Sequence, residues 1–202
     1  MSSVEFHKFR ENIKNINDYT DQKEKIFDNF IDQGLPNKRN ESWKYFDLVS
    51  KSKEYIKNDI SNSEIIVEDL EEKNVFYDYA DNNLSIEDYF KPCNFFKSES
   101  VVDLNVACGN QIKILDIKHT QNEPIIIKIN YNEKNISLPR LIINIADNVK
   151  AKINYVNSST NGFLNLLVEY NIGNKSELEI SRINSSQGLL VETNLVFLLN
   201  HS

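Results

Sequence analysis

The sequence predicts a mainly β protein that opens with a helical region. Past residue 100, apolar residues alternate in short runs: Ile125, Ile127 and Ile129, then Leu141, Ile143 and Ile145, then Ala151, Ile153 and Tyr155. Period-two alternation is the mark of strands. Strand starts recur roughly every 10 to 15 residues, a spacing shared by sandwiches, barrels and solenoids. Over the first sixty residues the period is helical instead, with Phe6, Phe9 and Ile13 on one face and Ile26, Phe27, Phe30 and Ile31 on a second.

The second helix has a clear stop. Gly34 accepts a left-handed cap and Pro36 cannot continue a helix. Asn40 is placed to cap a short helix over residues 40–48, whose flanking charges predict that Trp43 is mostly buried and fastens that helix to its neighbours. Trp43 and Tyr45, two positions apart, are rotated by roughly 200° on a helix and cannot share one face. Residues 61–97 read as a connecting region, with short β-like pieces at Ile65–Val67 and Val75–Tyr79 among acidic residues.

Beyond residue 155, Leu164, Leu166, Val168 and Tyr170 form one parity, Leu178 and Ile180 another, and a last run extends from Leu189 to Leu199. No helical window is read among these runs. Two details favour a solenoid over a sandwich or barrel. The apolar parity slips between Ile114 and Leu115 in "QIKILDIK", as at a strand that turns a corner, and connections such as "NSSTNG" are Asn-rich, where left-handed backbone is tolerated. Hairpin dipeptides are scarce, Asn161-Gly162 being the single Asn-Gly. The expected organisation is a helical and mixed region over 1–100 and the start of a β core over 101–202.

Charge narrows the function classes. Residues 1–100 carry 14 Lys and Arg against 21 Asp and Glu, while residues 101–202 carry nine of each, so the whole net charge of −7 sits in the first part. An acidic surface disfavours nucleic acid, which calls for a basic stripe. Cys93 and Cys108 lie fifteen positions apart without a Cys-x-x-Cys spacing, which indicates neither a disulfide framework nor a zinc knuckle. With no apolar signal core and no membrane-length apolar run, the expected location is the cytoplasm.

The chain holds no Walker loop, GxGxxG, GxSxG or HExxH pattern. His7, His119 and His201 are scattered, and Cys108 with His119 is the one pairing close enough in sequence to consider as a metal or nucleophile site. The plainer reading is a small apolar cysteine inside a strand and a turn histidine. Two cysteines without ligand spacing predict no tightly bound metal or cluster on the isolated chain. The acidic run Glu68-Asp69-Leu70-Glu71-Glu72 reads as a solvated face.

One stretch is more specific. "GLPNKRNESWKYFDL", residues 34–48, resembles the N-terminal signature of the SufB/SufD family of iron–sulfur cluster assembly proteins, on its SufD side, where a Gly-Leu-Pro turn precedes Glu-x-Trp-Lys-Tyr. Gly34, Leu35, Pro36, Arg39, Glu41, Trp43, Lys44, Tyr45 and Leu48 fit, whereas Asn37 and Phe46 stand where the family more often has threonine. A second stretch, "ISLPRLIINIADNVKAKI", is similar to the family's Pro-Arg strand, here Pro139 and Arg140 followed by Ile142 and Ala146.

The resemblance implies an N-terminal helical region followed by the opening rungs of a right-handed single-stranded β-helix, truncated, because family members are longer and this chain matches their N-terminal half. It implies a non-catalytic scaffold subunit that works with SufB and the ATPase SufC, with the iron–sulfur cluster handled by the complex. Catalytic, cofactor-binding and metal residues are expected to be absent from this chain. The signature residues Gly34, Pro36, Glu41, Trp43, Lys44, Tyr45, Pro139 and Arg140 are expected to be structural. Two other readings stand beside this one: a β-helix enzyme acting on an acidic polysaccharide, and an interaction module that binds a peptide through Trp43 and Tyr45. Finally, the apolar run Leu195–Leu199 predicts a solenoid end with nothing to cap it.

Overall fold

The computed structural model describes residues 6–15, 19–79, 84–95, 99–131, 134–159 and 161–199. His201 and Thr160 lie outside the described residues. The protein is mainly β, and its centre is a β-solenoid of about three turns over residues 111–198 that follows a helical region.

The helical region contains α1 (Arg10–Asn15), α2 (Thr20–Gln33) and α3 (Leu48–Ser52). As the periodicity predicts, Phe6, Phe9, Ile13, Phe27 and Phe30 are buried in one cluster. Gly34 ends α2 with φ +69°, a conformation that favours glycine, and its N–H donates to Phe30 O at 2.7 Å. The expected helix over 40–48 does not form. A single 3-10 turn spans Glu41–Trp43, and α3 starts only at Leu48, capped by Asp47, whose carboxylate accepts from Ser50 N at 3.0 Å. Asn40 makes no cap bond to the 3-10 turn; its Oδ1 accepts from Asn37 N at 3.0 Å and tightens the turn before it.

Residues 61–97 are more than a connector. β1 (Glu64–Glu68) and β2 (Val75–Asp78) are followed by α4 (Ile86–Phe95) and α5 (Ser100–Cys108). α4 starts with a reciprocal cap: Ser85 Oγ accepts from Asp88 N at 3.1 Å and donates to Asp88 Oδ2 at 2.7 Å. α5 is a helix inside the stretch expected to be strand, and every residue in it is buried. Its polar Ser100, Asp103 and Asn105 are buried along with its apolar residues because it lies between other helices and the sheet.

The solenoid alternates between two sheets. Strands β3 (Gln111–Ile117), β6 (Pro139–Ile145), β8 (Phe163–Ile172) and β10 (Leu189–Leu198) stack in parallel in one sheet, with the short β5 (Ile136–Ser137) beside β8. Strands β4 (Ile125–Asn130), β7 (Lys150–Ser158) and β9 (Glu177–Asn184) stack in parallel in the other. One turn advances Ile112 to Arg140 and Arg140 to Leu167. The corners stack equally closely. A Cβ on Gly173 would lie 2.7 Å from Ile145 O and Asp147 N, so only glycine lets that corner rest on the one before it.

The parity slip at Ile114 and Leu115 marks a strand buried on both faces, not a corner. Ile112 and Ile114 pack outward beneath the helices, while Leu115 and Ile117 enter the solenoid core. β6 and β8 repeat this division, which is why they read as nearly continuous apolar runs. The sheet of β4, β7 and β9 instead turns one face to water, where Lys150–Glu177 (2.8 Å) and Lys152–Glu179 (3.2 Å) pair rung to rung.

The two ends differ. β1 runs antiparallel to β4 and β2 antiparallel to β3, so the first turn is covered. Ile65, Val67, Leu70 and Phe76 lie over the apolar core there. Asn74 pins this cover: its Oδ1 accepts from Lys118 N (2.9 Å) and His119 N (3.0 Å), and its amide donates to Gln121 Oε1 at 3.1 Å. At the far end, β9 and β10 each have one neighbour among the described residues, and Ile183, Val196 and Leu198 are exposed.

Candidate functional site

The two signature stretches have opposite fates. In the first, Gly34 and Pro36 shape the turn after α2, whereas Glu41, Lys44 and Tyr45 are exposed, Tyr45 at 89%. Trp43 is half-buried, not mostly buried: it packs against the cluster that holds Phe27 and Leu48 while one edge stays wet. The 3-10 turn explains this, since it is too short to roll the indole fully inward. Phe46 lies beside Trp43 with ring centroids 6.4 Å apart, and Lys44 Nζ sits over the Tyr45 ring at 5.0 Å. Trp43 and Phe46 form one wall of a groove of about 520 Å³ whose opposite wall is the outer face of β10, around Val191 and Thr193.

The second stretch is buried and binds the layers together. Pro139 opens β6, a position where its missing N–H costs no ladder bond, and its carbonyl accepts from Asn105 Nδ2 at 3.0 Å. The same amide donates to Asn165 O at 2.8 Å, and Asn165 Nδ2 donates to Val101 O at 2.7 Å. Asparagines thus bolt α5 to β6 and β8.

Arg140 does more. Its guanidinium pairs with Glu169 of β8, both side chains almost wholly buried, and reaches α4 through Nη1 to Tyr89 O (2.6 Å) and Nη2 to Asp88 O (2.9 Å). Asp88 O would ordinarily accept from the N–H four residues on, but that residue is Pro92, which has none. Arg140 therefore supplies the donor that Pro92 removes from α4. A buried arginine with no such duty would carry a heavy desolvation cost. Its role here is to lock helix to solenoid.

The thiols are held down. Cys108 is fully buried in α5, not in a strand, its Sγ facing Phe9 O at 4.0 Å, and burial pushes its pKa up. His119 is exposed beyond the other end of β3, a seven-residue strand of about 20 Å, so the structure does not bring the two together. Cys93 of α4 donates its S–H to Asp103 of α5, and burial followed by the nearby Asp103 charge raises its pKa. Asp103 itself is pushed up to about 6, chiefly by burial. Thiols so disfavoured as thiolates are poor nucleophiles and poor metal ligands. Among the described residues no group of three or more His, Cys, Asp or Glu is placed to hold a metal. The run Glu68–Glu72 begins at the last residue of β1 and continues into a partly solvated turn, with Glu68 paired to Lys128 at 2.6 Å.

At the open end, Arg182 of β9 takes the same inward parity as Leu178 and Ile180, which pack against the core, but presents a charged group there. It donates to Glu192 Oε1 (2.7 Å), Asn194 Oδ1 (2.8 Å) and Tyr170 OH (3.0 Å), and its guanidinium lies over the Tyr155 ring at 5.0 Å. The last rung thus carries a polar plug over the apolar column. Sequence reasoning missed Glu169, Pro92, Asp103 and this plug. A lone glutamate within "FLNLLVEYNI" and a proline within "YFKPCNF" were the available signals, because each breaks the pattern around it.

No protein-family model, no curated protein and no solved structure matches the chain. No helix among the described residues is long and apolar enough to cross a membrane.

Proposed function

We propose that the chain is a non-catalytic scaffold subunit resembling SufD, acting in the cytoplasm with SufB and SufC in iron–sulfur cluster assembly. The observation that supports it most is the solenoid's last rung. β9 and β10 each leave one backbone edge unpaired among the described residues, with Val196 53% and Leu198 64% exposed. Parallel rungs of this kind extend by adding further strands. The buried polar groups are in keeping with this role: Arg140, Glu169, Asn105 and Asn165 spend their hydrogen bonds on joining layers. Co-expression with SufB and SufC, followed by size-exclusion chromatography, tests the reading. A stoichiometric complex containing this chain is expected; SufB and SufC assembling together while this chain elutes alone would refute it.

A second reading is favoured by the exposure of Tyr45 and by the groove beside Trp43. There the chain would bind a peptide on its helical side, and Tyr45→Ala would abolish capture without loss of stability.

A further inference from the structure

A cavity of about 600 Å³ opens between α2 and α4, within the size range of small-molecule sites. Ile26 from α2 and Ile86 and Phe90 from α4 form its apolar walls, and Cys93 and Asp103 lie deeper. Asp103 is 5% exposed and lines this cavity from α5. Its one described side-chain partner is the Cys93 thiol, and no ion pair reaches it among the described residues. Arg140, the nearest buried guanidinium, is committed to Glu169 and to the α4 carbonyls. At the rim, exposed Lys25 and Glu87 offset one another, so the charge of Asp103 is unmatched.

We propose that this cavity binds a small organic ammonium ion, its charged nitrogen on Asp103 and its apolar body against Ile26, Ile86 and Phe90. The chemistry is specific in sign. A buried carboxylate that accepts only a weak thiol bond has lone pairs left over, and a charge-assisted N–H bond is the strongest partner for them. An anion would meet Asp103, and a neutral ligand would leave its charge unmatched. The apolar walls require a hydrocarbon body, which excludes simple metal cations.

The probe is 2-phenylethylammonium, titrated calorimetrically into the full chain, with 2-phenylethanol as its neutral counterpart. One saturable site is expected, with the alcohol at least about tenfold weaker. Asp103→Asn should weaken the amine by at least about tenfold while leaving the alcohol unchanged, because the amide keeps the shape and loses the charge. Ile86→Arg, at the exposed mouth, should weaken both ligands without touching Asp103. The titratable and charged groups around Asp103 are Lys25 on α2, Glu87 and Cys93 on α4, with Arg140 and Glu169 behind Cys93. Amine affinity should fall as pH drops through about 6, where Asp103 takes up a proton. Equal binding of amine and alcohol, undiminished binding by folded Asp103→Asn, or no saturable binding at roughly 10 mM probe would each overturn the proposal.

Discussion

Two arginine–glutamate pairs hold this solenoid, and they are built to different ends. Arg140–Glu169 lies between sheet and helices with side chains 3% and 2% exposed; Arg182–Glu192 sits at the last rung with side chains 35% and 13% exposed. The first fills a vacancy that nothing else fills, the carbonyl orphaned by Pro92, and joins elements distant in sequence. The second covers a column of tyrosines and aliphatics at the last rung among the described residues. One is a lock within the fold and the other a lid over it. Ion pairs in solvent contribute little, whereas breaking a buried one strands a charge, so the same residue types should give opposite mutational behaviour.

The largest effect is expected at the lock. Arg140→Met leaves Glu169 charged and unpaired in the interior and Asp88 O without its donor, and should cost about 3–5 kcal/mol in urea unfolding. Adding Glu169→Leu should recover most of that, because an apolar pair of similar volume can replace a buried ion pair. Adding Pro92→Ala instead returns an N–H to Asp88 O and should recover about 1 kcal/mol. If Pro92→Ala restores nothing in the Arg140→Met background, the guanidinium is not standing in for the helix bond.

Asp103, a neighbour of that lock with no cation of its own among the described residues, should behave oppositely. Its folded pKa of about 6 is above its unfolded value near 3.8, so its contribution is fully present below pH 3.8 and is lost as pH rises through 6. At pH 7 the buried charge is a burden of roughly 3 kcal/mol. Asp103→Asn should therefore raise stability at pH 7 and not at pH 3.5, and equal effects at both pH values would show that the gain is unrelated to charge.

Trp43 follows. Half-buried beside α3, it should lose about 2 kcal/mol on truncation to alanine, roughly half the cost of a tryptophan in a full core. A thermal-denaturation loss near the full-core range would place the indole deeper than its 3-10 turn allows.

Much of the architecture was legible because the apolar periods were clean. Leu141, Ile143 and Ile145 face the core as their alternation requires, and Phe27 and Phe30 are buried as the helical spacing requires. The strands of the cover were read at Ile65–Val67 and Val75–Tyr79, but their place over the first turn was not legible. β1 and β2 are short, acidic and held by side-chain amides such as Asn74, whose bonds reach across some 45 residues and leave no local pattern. The same holds for the candidate sites. Arg140 could be marked as part of a signature, but its partners Glu169 and Asp88 lie 29 and 52 positions away, and only the stacked rungs bring them together. The mixed parity of β3 misled for a related reason, since burial on both faces erases the alternation that one buried face would show.

The smallest effects on stability are expected at the lid, and there the informative measurement is association. Arg182→Met should cost less than about 1 kcal/mol, since its partner Glu192 retains access to water. Beside the plug, Val196 and Leu198 share the inward parity of β10 with Glu192 and Asn194, yet are exposed because no further rung covers them among the described residues. Here the plug stops short, and the outer edge of β10 offers free backbone next to apolar side chains, the combination that recruits other strands. The wild-type chain alone should therefore self-associate with rising concentration. Val196→Lys with Leu198→Lys should restore a single species in light scattering, since the long stems can lie along the column while their charges reach water and repel a second edge. Folding stability should change by no more than about 0.5 kcal/mol, because neither side chain gives up a buried contact of any size. A wild-type chain that stays monomeric at high concentration would mean that the Arg182 plug suffices and that the open rung is no adhesive surface.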